Sequence, residues 1–139
     1  MFLLAGCAPA RLQGPDGESP ALGGTRWRLV AFQSMDDAQG RTTPTAPDRY
    51  TIFFGPDGRA ALQLDCNRGW APWKAAPSGA GGSLAVGPLA TTRMSCPPPS
   101  MGSLLETQLP YVRSYTLADG RLHMALMADG GILTWEPVR

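Results

Sequence analysis

The strongest constraint on this chain is a pair of short clusters, Asp65-Cys66-Asn67-Arg68-Gly69-Trp70 and, downstream, Thr92-Arg93-Met94-Ser95-Cys96. They hold two of the three cysteines, and the third, Cys7, stands apart near the N-terminus. Any fold must account for both clusters together. Redox catalysis of the thioredoxin kind would place its cysteines as Cys-x-x-Cys, and these are far apart in sequence. A zinc site needs about four ligands from Cys, His and carboxylates, and the chain offers a single histidine. Neither metal nor redox chemistry is expected, and no cofactor is implied.

A chain of 139 residues with 43% hydrophobic content can bury one core of ordinary size, so a single domain is expected. Its 12 basic residues against 11 acidic ones leave a net charge of +1, which gives no electrostatic footprint for nucleic acid. The 17 glycines and 14 prolines fall between apolar runs and follow no repeat, as in the turns of a β-rich domain.

Residues 8–24 are rich in Pro, Gly and polar residues without apolar periodicity, so residues 1–22 read as a terminal segment and flexible tether, and 23–139 as the folded domain. Thr25 to Phe32 alternates, with Trp27 and Leu29 on one face and Arg26 and Arg28 on the other. Gln33 to Asp48 reads as a long surface loop. Tyr50 to Phe54 and Arg59 to Leu64 flank Asp57-Gly58 as a hairpin. Trp70 to Ala75 and Ser83 to Val86 are short strand candidates separated by Pro77 to Gly82. Asp119-Gly120 and Asp129-Gly130 punctuate a three-strand meander over residues 114–118, 121–127 and 132–136. One helix is expected after Pro97-Pro98-Pro99, with Ser103 and Glu106 in the spacing of a capping box. Leu105, Leu109 and Val112 share its apolar face, and Pro110 ends it near Gln108. The fold class is α+β: a curved, mainly antiparallel sheet of about eight short strands with one short helix.

The two clusters, the acidic helix and the closing hairpin together resemble the META/HslJ-like domain of bacterial envelope proteins, whose pattern runs Gly-Cys-Asn-Arg-Tyr and then Thr-x-Met-Ala-Cys. The resemblance covers Leu22 to Glu136. It implies a non-enzymatic role in envelope stress tolerance or protein interaction, with an envelope protein as partner. Asp65 stands where the pattern has glycine, Gly69 where it has an aromatic, Ala71 where glycine is usual and Trp73 where tyrosine is common. Trp70 then looks like the aromatic displaced by one place, which puts it on the opposite face of a strand. If the glycine position needs a positive φ, aspartate is among the less costly substitutes.

Leu4-Ala5-Gly6-Cys7 resembles the lipobox of bacterial lipoproteins, in which the cysteine is acylated. The apolar run before it is shorter than the roughly seven to fifteen residues of a signal core, so the true start is expected upstream or the sequence is trimmed. The competing reading is a chance Ala-Gly-Cys. Lipidation at Cys7 would place the domain in the cell envelope, anchored to a membrane, and Ala8 after it favours the outer membrane, facing the periplasm. In that oxidising compartment Cys66 and Cys96 are expected to form a disulfide, as the family resemblance also implies, with two buried free thiols as the alternative.

Candidate binding residues are Asn67 and Arg68, since arginine grips carboxylate or phosphate bidentately, with Asn67 otherwise bonding the local backbone of a turn. Trp70 and Trp73, beside Pro72 and Lys74, form either an apolar platform for a peptide, sugar or protein, or part of the core. No catalytic residue is singled out. His123 sits in an alternating strand without a Gly-x-Ser-x-Gly elbow, and Asp57, Asp119 and Asp129 are explained by turns. The rival function is a periplasmic small-ligand binder or hydrolase with a cleft near Asn67 and Arg68.

Overall fold

The computed structural model describes residues 22–36, 38 and 40–138. Cys7 and residues 8–21 of the tether, with the anchoring expected of them, lie outside the described residues, whereas Leu22, read as the end of the tether, is buried in the core. Ten strands run in chain order: β1 (Thr25–Gln33), β2 (Arg41–Thr42), β3 (Tyr50–Phe54), β4 (Arg59–Leu64), β5 (Asn67–Ser78), β6 (Gly81–Val86), β7 (Ala90–Thr91), β8 (Val112–Ala118), β9 (Arg121–Leu126) and β10 (Ile132–Pro137). The helix α1 (Gly102–Gln108) continues into a 3-10 turn, Leu109–Tyr111.

Eight strands pair antiparallel in the order β10-β9-β8-β6-β5-β4-β3-β1, and β1 pairs back onto β10, which closes the sheet into a barrel. Closure removes the open edges that a curved sheet would otherwise expose. The short strands β2 and β7 lie outside this path, on β1 and β5. The alternation in sequence becomes inside and outside: Trp27 and Leu29 from β1, Tyr50, Ile52 and Phe54 from β3, Leu62 and Leu64 from β4, Leu122 and Met124 from β9, and Leu133 and Trp135 from β10 fill the interior. Leu105, Leu109 and Val112, the expected helical face, are all buried against that core.

Three local readings differ. The segment from Trp70 to Val86 is two longer strands, because β5 runs on through Pro77 to Ser78 and turns over only Gly79-Ala80. β5 pairs with β4 over its first half and with β6 over its second, so one long strand serves both neighbours. The turn before β10 is not an Asp-Gly turn of the expected kind. Ala128 and Asp129 take positive φ there, while Gly130 is right-handed. Nor is the capping box formed. The helix starts at Gly102, so Ser103 lies inside its first turn, and the free N–H groups find other partners: Met101 donates to the Tyr50 hydroxyl and Gly102 to the Ser100 hydroxyl.

Candidate functional site

β4 and β5 are joined by a two-residue turn, Asp65-Cys66, with Leu64 paired to Asn67. The first turn position has φ 64°, the left-handed region that hairpin turns usually give to glycine. Aspartate tolerates it better than most residues, and here it is also held. Its backbone N–H donates to the Arg49 carbonyl at 2.8 Å, and its buried carboxylate accepts from Arg49 Nη1 at 3.2 Å. Cys66, the second turn residue, forms a disulfide with Cys96.

Asn67 ties the two clusters together. Its Nδ2 donates to the Met94 carbonyl at 2.9 Å, and its Oδ1 accepts from the Met94 N–H at 2.7 Å and the Thr92 hydroxyl at 2.8 Å. One side-chain amide thus imitates a strand partner for residues 92–94. Arg68 continues the ladder through its backbone, donating to the Thr92 hydroxyl and accepting from the Thr92 N–H, both at 2.9 Å. The spacing of Thr92, Met94 and Cys96 is explained by these bonds. The Met94 side chain contributes nothing to them and is exposed.

The side chain of Arg68 points away from this clasp. No ion pair or side-chain hydrogen bond reaches its guanidinium among the described residues. It borders an open depression of about 640 Å³ lined by Arg26, Arg49, Thr51, Ala61, Gln63, Asp65 and Asn67, among others. The register of the barrel explains that gathering. On the outer face, Thr51, Gln63 and Arg68 lie side by side across β3, β4 and β5, and Arg26, Phe53, Ala61 and Trp70 form the next row across β1, β3, β4 and β5. The Arg26 guanidinium sits 5.0 Å from the Phe53 ring centroid. Arg28, by contrast, is engaged: the hydrogen bonds it donates to the carboxylates of Glu136 at 2.6 Å and Asp48 at 2.7 Å hold its pKa above the ordinary arginine value.

The two tryptophans part company. Trp70 is 44% exposed on the outer face. Trp73 is partly buried, its ring edge-on to Phe54 at 5.1 Å and its Nε1 donating to the Gly55 carbonyl at 2.9 Å. Residues three apart on a strand face opposite sides, so the pair does not form one platform. Gly69 points inward, where an added Cβ would meet Thr91 and Leu64 at 3.3 and 3.5 Å. His123 lies on β9 with Nδ1 3.3 Å from the Thr134 hydroxyl. Among the described residues no three His, Cys, Asp or Glu side chains come together as a metal site.

Arg26, Arg49, Thr51, Phe53, Ala61 and Gln63 had no place in the candidate list drawn from sequence. The signal was present, since five of them occupy outward positions within read strands and Arg49 immediately precedes one. The register of β3, β4 and β5 brings Thr51, Phe53, Ala61 and Gln63 alongside Arg68, and β1 beside β3 adds Arg26.

Comparison with known proteins agrees with this architecture. An NMR structure of a protein from Burkholderia xenovorans is 23% identical, with a TM-score of 0.63 over 84% of this chain and 83% of that one. A crystal structure of a DUF4847 family protein from Bacteroides vulgatus is 14% identical, with a TM-score of 0.58 over 84% of this chain and 94% of the other. At such identities the likeness is one of fold. No curated protein matches the sequence. The META domain profile, however, matches residues 20–137, which takes in the whole barrel, the Asn67 clasp and both disulfide cysteines. The chain therefore belongs to the META domain family.

Proposed function

We propose that this chain is a non-enzymatic binding domain of the bacterial cell envelope, anchored by lipid at Cys7 and facing the periplasm from the outer membrane. Its role is in envelope stress tolerance or protein interaction, and the outer face around Arg68 is its contact surface. The observation that carries this reading is the division of labour between neighbours. Asn67 spends its amide on the clasp, while Arg68 holds an unpaired guanidinium beside an exposed tryptophan. Arginine and tryptophan are the side chains most often dominant in interfaces. The small-ligand alternative draws support from the depression beside Arg68, and hydrolysis draws none from His123, whose ring bonds a threonine on the neighbouring strand.

The test compares Arg68→Ala with Cys66→Ser. Arg68→Ala is expected to melt within about 0.5 kcal/mol of wild type, as surface changes do, and to lose the partner recovered from envelope extract. Cys66→Ser opens the 66–96 loop and is expected to cost about 3–4 kcal/mol by the chain-entropy relation. If Arg68→Ala unfolds as early as Cys66→Ser, the arginine is structural. If it both melts and binds normally, the contact surface lies elsewhere. Metabolic labelling with a fatty-acid probe, lost in Cys7→Ser, tests the anchor.

A further inference from the structure

Next to the Arg68 depression lies a second one, of about 400 Å³, lined by Phe53, Pro56, Ala61 and Trp70 among others. Ala61 borders both, so the two are one groove with a cationic end and an aromatic end. The pairing explains the shape. Phe53, Ala61 and Trp70 are neighbours in one row across three strands, so the backbones that carry the two rings stand about 10 Å apart with the Ala61 methyl between them, at a strand spacing of about 4.8 Å. The row carrying Thr51, Gln63 and Arg68 lies two residues further along each strand, about 7 Å away.

We propose, resting on the binding reading above, that this groove recognises an acidic saccharide, with one sugar ring against Trp70 and Phe53 and a ring-borne carboxylate or phosphate at Arg68. Four features favour that chemistry. The C–H face of a pyranose suits an aromatic plane, and the slot over Ala61 is open on its outer side. Thr51 offers a hydroxyl and Gln63, whose Nε2 also donates to the Asp65 carbonyl at 3.3 Å, offers its amide oxygen and second N–H where sugar hydroxyls need both donors and acceptors. Among the described residues Arg68 is unpaired, Arg26 leans on Phe53 and Arg49 has one acidic partner, and with Asp57 and Arg59 offsetting each other at the aromatic end the groove carries excess positive charge complementary to an anion. A peptide strand would gain little here, because these strands already spend their backbone groups on one another and β-augmentation needs a free edge.

Titration of the purified protein with tri-galacturonate, maltotriose, pyrophosphate and tetraglutamate, followed by backbone NMR and tryptophan fluorescence, tests this. Tri-galacturonate is expected to shift the amides of Thr51, Gln63 and Arg68 saturably and to bind about tenfold tighter than each of the other three. Arg68→Ala and Trp70→Ala are each expected to weaken it about tenfold without lowering the melting temperature, while Arg113→Ala, on the far side of the barrel, leaves it unchanged. Equal binding of maltotriose removes the charge from the argument, and equal binding of pyrophosphate removes the ring. Tighter binding of tetraglutamate assigns the groove to acidic protein. Failure of every saccharide while an envelope partner still depends on Arg68 overturns the ligand class and leaves the contact surface standing. Loss of both overturns the surface as well.

Discussion

Replacing Asn67 with alanine would strand the Met94 N–H and C=O and the Thr92 hydroxyl, three groups that one amide now satisfies. With water able to replace part of the loss, the cost is expected to be about 2 kcal/mol, read as a lower urea midpoint at unchanged slope. A change below about 0.5 kcal/mol would mean that residues 92–94 hold their place through the disulfide alone. Tyr115 allows a different test. It is buried, and desolvation pushes its phenol above the usual range near pH 10. The folded state therefore keeps this proton where the unfolded state releases it. Stability from Tyr115 is complete below about pH 10 and declines as pH rises through the folded value. Tyr115→Phe is expected to flatten that alkaline decline, and an unchanged pH profile would exclude the phenol as its source. At this scale the sequence was informative about identity and less so about partners. Asp65 was readable as a substitute for a left-handed glycine, and its φ of 64° agrees. Asn67 was readable as a residue that bonds backbone, but the backbone it bonds belongs to the other cluster, which no local turn rule supplies.

The elements show where local pattern is overruled. Ser103 and Glu106 have capping-box spacing, yet the N-cap is Met101, two residues earlier, where Met101 and Gly102 are fastened to Tyr50 and Ser100. Glu106 instead accepts from the Thr91 hydroxyl at 3.0 Å and pairs with Arg93 at 3.3 Å, joining α1 to the β7 segment. Ser103→Ala is accordingly expected to change stability by no more than about 0.5 kcal/mol, where a true N-cap serine would cost about 1. A loss near the larger figure in thermal melts would restore the cap. Strands were the readable elements, since β1, β3, β4 and β9 carry clean two-residue alternation. β5 was less so, because Pro72, Pro77 and nearby glycines carry the marks of a loop although the strand continues through them.

For the whole molecule, the decisive contact is the one least visible in sequence, the pairing of β1 with β10 that turns a curved sheet into a closed one. Alternation gives strand number and facing but contains no statement of which strand lies beside which. A second requirement of closure is the tight passage of β6 between β5 and β8. A Cβ on Gly81 would lie 2.0 Å from the Tyr115 carbonyl oxygen, and one on Gly82 would lie 2.1 Å from that of Ala76. Gly81→Ala must push backbone apart and is expected to destabilise by about 3 kcal/mol or more, measured by urea unfolding. A mild effect would show that the seam between β6 and β8 is loose. The β1–β10 seam also has a meaning in time. Arg28 and Glu136, which pair across it, are 108 residues apart in the chain. A growing or emerging polypeptide leaves one backbone edge of its first strand unpaired until the last strand arrives beside it, so this domain completes its folding only after nearly all of its chain is free. Such long-range closure is slow compared with helix formation.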